Sequence, residues 1–200
     1  MKLFFYCFVY VAVVTLMACD SQTKQSTIEF ELTYDNSNIG CDGFPVLLKW
    51  RVEQLQFFIS NLQVTTSDNQ KHHIRLKDTD FQTNNIALLS LLCDQGHISE
   101  RNTTVFLAEG VNVDQVVEIS FDLGIPFSVN HLNPLTQDSP LNVASMFWVW
   151  RTGHKFMRVE MSGEHETWWF HLGSTGCSSA SPVRAPQKAC LNPNRFNYQL

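Results

Sequence analysis

No H-E-x-x-H helix, G-x-S-x-G elbow or Gly-rich phosphate loop occurs in the 200 residues. Their absence removes the usual local signatures of zinc peptidases, serine hydrolases and nucleotide binders. No two cysteines stand in C-x-x-C spacing, which argues against a cysteine-ligated zinc module. There is no basic run either: 14 Lys and Arg face 19 Asp and Glu, a net charge of −5. Nucleic acid is therefore not an expected partner, because phosphate binding needs clustered cations. Carboxylates are present at Asp122, Asp138, Glu160, Glu164 and Glu166, but no spacing selects a catalytic pair. No internal repeat is visible.

What is present begins at the N-terminus. Residues 1–18 place Lys2 before an apolar run that ends in small residues, the form of a secretory signal. The run is short for a membrane span and polar chain follows it. "LMAC" fits a bacterial lipobox, making Cys19 the expected acylated residue that tethers the mature chain to a lipid bilayer. Asp20 then slightly favours the inner membrane, with the protein facing the periplasm. Residues 19–26 read as a polar tether and residues 27–200 as one domain. Loss of the leader removes Lys2 and leaves 13 basic against 19 acidic residues, a net of −6.

With Cys7 in the leader and Cys19 lipidated, Cys41, Cys93, Cys177 and Cys190 remain. An even number in an exported chain points to two disulfides, for which three connectivities exist. The favoured one joins Cys177 to Cys190 across a Ser/Pro-rich loop and therefore Cys41 to Cys93.

Alternation marks strands. Ile28, Phe30, Leu32 and Tyr34 share one side of "TIEFELTY", and Val117, Ile119, Phe121 and Leu123 share one side of a second run. The stretch 46–66 reads as one or two strands with an irregularity between them, and "NTTVFLAEG" as a short strand. "KFMRVEMS", "GEHE" and "TWWFHLGS" read as a hairpin. "NNIALLSLLCDQ" fits either a strand or a buried helical turn. The tail from Ser178 reads as loop, pinned by its cysteine. Many short strands between polar turns predict an all-β, antiparallel β-sandwich. One helix is expected within it, over about 140–152: Ser139 suits the N-cap, Pro140 the first position and Gly153 the stop.

The helix matters because "SMFWVWRTGHKF" places Trp148 and Trp150 two residues apart. On a strand they share a face; on a helix they are about 200° apart and diverge. Of seven histidines, His72, His73 and His165 read as exposed, and His97 lies in a loop without a partner. His131 occupies a long Pro/Asn/Ser-rich connection, where functional residues concentrate. His171 sits near the end of a strand before a glycine turn and a cysteine.

Five stretches carry a resemblance: "FFISNLQV", "LGIPFSVNHLNP", "SPLNVASMFWVWRTGHKFMRVE", "FHLGSTGC" and "CLNPNR". In this order they resemble the MbnP-like family, four-cysteine exported proteins associated with copper and with a MauG-like dihaem cytochrome c peroxidase. The resemblance covers nearly the whole mature chain. It implies a β-rich copper-binding protein, not an enzyme, in which the peroxidase oxidises a tryptophan to kynurenine. Carried onto this chain, it implies metal ligands at His131 and His171 and makes Trp148 and Trp150 the candidates for oxidation. His154 stands where the pattern carries another residue type and is a doubtful extra ligand. Copper is expected, Cu(I) rather than Cu(II), since few-coordinate imidazole sites suit it. Trp168 and Trp169 are expected to pack on the sheet. The alternative reading is a β-sandwich lipoprotein that binds carbohydrate or peptide through exposed aromatics.

Overall fold

A computed structural model describes residues 26–34, 36–42 and 50–200. The expected signal peptide (1–18), the cysteine expected to be lipidated, Cys19, and the expected tether up to residue 25 lie outside the described residues. Thirteen strands appear among the described residues: β1 Thr27–Glu29, β2 Thr33–Tyr34, β3 Ser37–Asn38, β4 Arg51–Thr66, β5 Lys71–His73, β6 Gln82–Thr83, β7 Ile86–Asp94, β8 His97–Asn102, β9 Thr104–Phe106, β10 Val116–Leu123, β11 Lys155–Ser162, β12 Thr167–Gly173 and β13 Phe196–Gln199. The fold is all-β and antiparallel, as the alternation predicted. Among the described residues no helix is long and apolar enough to cross a membrane.

The long strand β4 organises the sheet. Along one edge it pairs with β11 through its first half and with β10 through its second. Along the other edge it pairs with β7 and then β5. The expected irregularity is a bulge: Asn61 and Leu62 face the single residue Phe121, and Asn61 takes a φ of 54°. Asparagine tolerates this left-handed conformation better than most residues, and the extra residue bends the strand. Strand β12 forms the outer edge beyond β11, β13 lies beyond β10, and β8 and β6 flank β7. The separate β1–β9 pair forms a second layer. Its Ile28 and Val105 pack with Ile59, Leu89 and Phe121.

Both faces of the sheet are covered here. Ala87 and Leu89 face the β1–β9 layer, whereas Ile86 and Leu88 face Leu141, Met146 and Phe156. Burial on both sides explains why "IALLSLL" lacks alternation. The strand ends are tied by Cys41–Cys93, and the C-terminal loop by Cys177–Cys190, the favoured pairing in each case.

The helix expected over 140–152 does not form. The segment contains one 3-10 turn, Ala144–Met146, and the regular helix α1 lies earlier, at Phe127–Asn130. Tertiary partners take the groups a helix needs. The Ser139 hydroxyl donates to the Asp80 carbonyl at 2.6 Å. The Leu141 carbonyl faces His154 Nε2 at 2.9 Å, and Lys155 Nζ donates to the Ser145 carbonyl at 2.7 Å. Leu141 and Met146 are fully buried, so the segment is held by what it packs on. The tail also departs from expectation, because β13 pairs with β10 over four residues.

Candidate functional site

The Trp-rich segment is a tight loop, neither helix nor strand. Phe147 bridges to His154, the Trp148 N–H donates to the Gly153 carbonyl at 3.1 Å, and the Gly153 N–H donates to the Val149 carbonyl at 2.7 Å. Gly153 is required twice over. Its φ is +75°, and a Cβ there would meet the carbonyl and the side chain of Asn130 at 2.5 Å.

Asn130 is the hub of this region and is 1% exposed. Its Oδ1 accepts from the His154 N–H at 2.8 Å, and its carbonyl faces His154 Nδ1 at 3.0 Å. Its Nδ2 lies 3.3 Å from His131 Nε2. His131 follows α1 and is buried against the ring of Phe127, centroids 5.0 Å apart. Its Nδ1 meets the Trp150 carbonyl at 3.1 Å. Carbonyls only accept, so Nδ1 carries the proton and Nε2 the lone pair. That lone pair faces Asn130 Nδ2 and Cys190 Sγ, 3.7 Å away. Burial lowers the pKa of His131 against the opposing pull of the Trp150 carbonyl.

His154 is enclosed between Phe58 and Phe147, and both its nitrogens face carbonyls. Burial holds its pKa below the ordinary histidine value, opposed by the Leu141 and Asn130 carbonyls. A ligand role for His154 would require giving up one of these contacts.

His171 is built differently. It lies on the edge strand β12 opposite Arg158 of β11. Its Nε2 bonds Glu160 Oε1 at 2.8 Å, and Arg158 Nε donates to the same oxygen at 2.7 Å. Burial alone would raise the Glu160 carboxyl; the Arg158 and His171 bonds overcome this and hold it below the usual carboxylate range. With Nε2–H given to the carboxylate, Nδ1 is the nitrogen left with a lone pair in the neutral ring. This is the arrangement by which carboxylates orient metal-binding histidines.

Trp148 comes to the same side of β12. A Cβ on Gly173 would fall 2.5 Å from Trp148 Cζ3, so the indole edge rests on that glycine. Gly173 and His171 are two residues apart on one strand and therefore share a face. Trp150, by contrast, is linked to His131 through its backbone carbonyl. The two tryptophans are similarly accessible, 36% and 37% exposed.

Among the described residues, the one group of three potential ligands within 4.8 Å is His131, Cys177 and Cys190. The two sulfurs are joined in a disulfide. No such group holds both His131 and His171. Trp168 and Trp169 do not pack on the sheet but are exposed, 44% and 68%. Trp169 shares the His171 face opposite Glu160 and joins the accessible tryptophans there. Sequence reasoning left Glu160 as one of five carboxylates without a selected partner, and missed Arg158 and Asn130. The hairpin register carried the signal for Glu160 and Arg158. His72, His73 and His165 are exposed, as expected; His97 is exposed too, but it opens strand β8 opposite Asp94 and does not lie in a loop.

Donor chemistry therefore fits copper on the His171 side, where an oriented imidazole has a free lone pair and a glycine makes room for the Trp148 ring. His131 has a suitable tautomer, but its lone pair is closed off by the disulfide and Asn130. The MbnP from Methylosinus trichosporium has a similar fold, with a TM-score of 0.68 at 22% identity over 88% of this chain and 71% of that one. No curated protein matches the chain. The profile of the MbnP family matches residues 23–200, the whole folded region together with the end of the tether, and the chain belongs to that family.

Proposed function

We propose that this is an exported, lipid-anchored copper-binding protein that acquires, stores or hands over copper and is itself the substrate of a dihaem peroxidase. Family membership supports the class, and the two disulfides fit an oxidising compartment outside the cytoplasm. The observation that carries the site is the His171–Glu160–Arg158 chain, with the Trp148 ring seated on Gly173 beside it. In this reading His171 Nδ1 and oxidised Trp148 hold the metal, Glu160 orients His171, and His131 holds the loop. Copper supplies a soft Lewis acid that accepts imidazole and aryl-amine nitrogen.

An intact indole has no in-plane lone pair to offer, so oxidation precedes this donor. Two equivalents of a peroxide-class oxidant would add two oxygen atoms across the indole C2–C3 bond and leave as water. Hydrolysis of the resulting formyl group releases formate and leaves the aryl amine and ketone of kynurenine.

The test is a competitive Cu(I) titration of protein from the native host, beside His171→Ala and His131→Ala. Loss of tight binding is expected for His171→Ala, with peptide mass spectrometry placing the oxidation at Trp148. Unchanged affinity in His171→Ala sinks the site. One further observation favours a carbohydrate-binding alternative. Trp168 and Phe170 stack at 6.2 Å and 10°, both exposed, on the opposite face of β12. Tryptophan fluorescence that responds to a glycan and ignores copper would support it.

A further inference from the structure

A second site lies on the sheet beneath the 139–145 segment, independent of the copper reading. The β4, β7 and β8 register sets Gln56, Ser90 and Asn102 in one row, with Gln54, Leu92 and Glu100 in the next. Above these rows is a cavity of about 310 Å³, lined by Gln56, Leu88, Leu92, Glu100, Pro140 and Val143 among others.

The hydrogen-bond direction there is set by one group. The Glu100 carboxylate accepts only, so the Ser90 hydroxyl must donate to it, at 2.6 Å. Ser90 then accepts from Gln56 Nε2 at 3.2 Å. That commits the amide nitrogen and leaves Gln56 Oε1 without a partner, in a residue 2% exposed. Gln54 Oε1 in the adjoining row is unpartnered too. A buried acceptor without a donor is costly, and native proteins rarely leave one unexplained.

Glu100 also lacks a cation: no ion pair among the described residues includes it, and no Lys or Arg lines the cavity. Lys155 bonds the Ser145 carbonyl and Arg158 bonds Glu160, and neither forms an ion pair with Glu100. The cavity thus offers acceptors and the uncompensated charge of Glu100, with Asp80 also on its lining and Leu, Val and Pro walls. Its size is at the lower end for small-molecule pockets.

We propose that this cavity is a binding site for a small organic ammonium ion. Its N–H groups reach the Glu100 carboxylate and the Gln56 amide oxygen, and its aliphatic body lies against Leu88, Pro140 and Val143. Charge distinguishes it from a neutral alcohol, which would satisfy the amide oxygen but leave the carboxylate unpaired.

The test is an NMR titration of the ¹⁵N-labelled mature chain with n-butylammonium, and with n-butanol as neutral isostere. Saturable shifts are expected at Gln56, Ser90, Glu100 and Val143, with butanol at least ten-fold weaker. Glu100→Gln should fold normally, since its amide oxygen can still accept from Ser90, and should weaken the ammonium at least ten-fold. Equal binding of amine and alcohol, an unaffected Glu100→Gln variant, or no saturable shift at these residues would each overturn the proposal.

Discussion

Gly153→Ala should loosen the centre of the Trp loop, and Gly96→Ala supplies its control. The two glycines have similar backbone angles, φ +75° and +84°. At Gly96 nothing lies within 4 Å of an added Cβ, so the substitution isolates the left-handed penalty, about 1 kcal/mol. At Gly153 the same methyl would sit 2.5 Å from Asn130 O and Oδ1. Asn130 must then move, and its buried bonds to His154 are lost or stretched, which adds about 2 kcal/mol. The totals are about 1 and about 3 kcal/mol, or melting-point losses of about 2–4 °C and about 6–12 °C for a domain of this size. Urea and thermal melts of both variants measure the difference directly. If Gly153→Ala melts within a degree or two of Gly96→Ala, Asn130 is not the hub described here.

Three further outcomes follow from the geometry. His131 and His154 have lowered pKa values in the fold, so the unfolded chain takes up their protons first. Stability should be complete above about pH 6.5 and fall below it, by at most about 1.4 kcal/mol per pH unit for each ring, and a urea midpoint flat from pH 7.5 to 5.5 would contradict this. Glu160→Gln should cost about 2 kcal/mol by leaving the largely buried Arg158 without its counter-ion, and should weaken copper binding in the same preparation. Removing Cys41–Cys93, which spans 52 residues, should cost about 4 kcal/mol by loop-closure entropy, against about 3 for Cys177–Cys190, which spans 13; guanidinium melts of the paired-alanine variants rank them.

The strands were readable where one face is wet and unreadable where none or both are. β10 was readable because Phe121 and Leu123 turn one side inward, and the β11–β12 hairpin because a short polar turn separates its two runs. β7 is buried on both sides and β13 is exposed along its length, so neither has a period to detect. The 140–152 helix was misread because its capping residues are a local signal. The competing groups, the His154 ring and the Lys155 ammonium, come from beyond the segment. Glu160 was legible in principle. With Ser162 opposite Thr167, the hairpin register sets Arg158 across from His171 and Glu160 diagonal to it. Reading Glu164 and Glu166 as equivalent carboxylates hid that relation.

His131 and His171 looked alike in the sequence, yet the fold gives them opposite chemistry. His131 spends one nitrogen on the Trp150 backbone and turns the other toward a disulfide, so it fixes where the loop sits. His171 spends one nitrogen on a carboxylate that Arg158 already holds, so it keeps its other nitrogen and a defined orientation. The same division runs through the tryptophans. Trp150 is joined to its histidine by a carbonyl that ring oxidation would leave untouched. Trp148 meets the His171 strand with its ring, where opening the indole changes what that face presents. Under the proposed function the site becomes competent only after oxidation, and its target ring must be held in place before that chemistry begins. Asn130, Gly153 and the buried His154 supply that rigidity from behind, through groups with no copper chemistry of their own. Their role explains why so much of the Trp segment's polar backbone bonds inward while both indoles stay within reach of solvent.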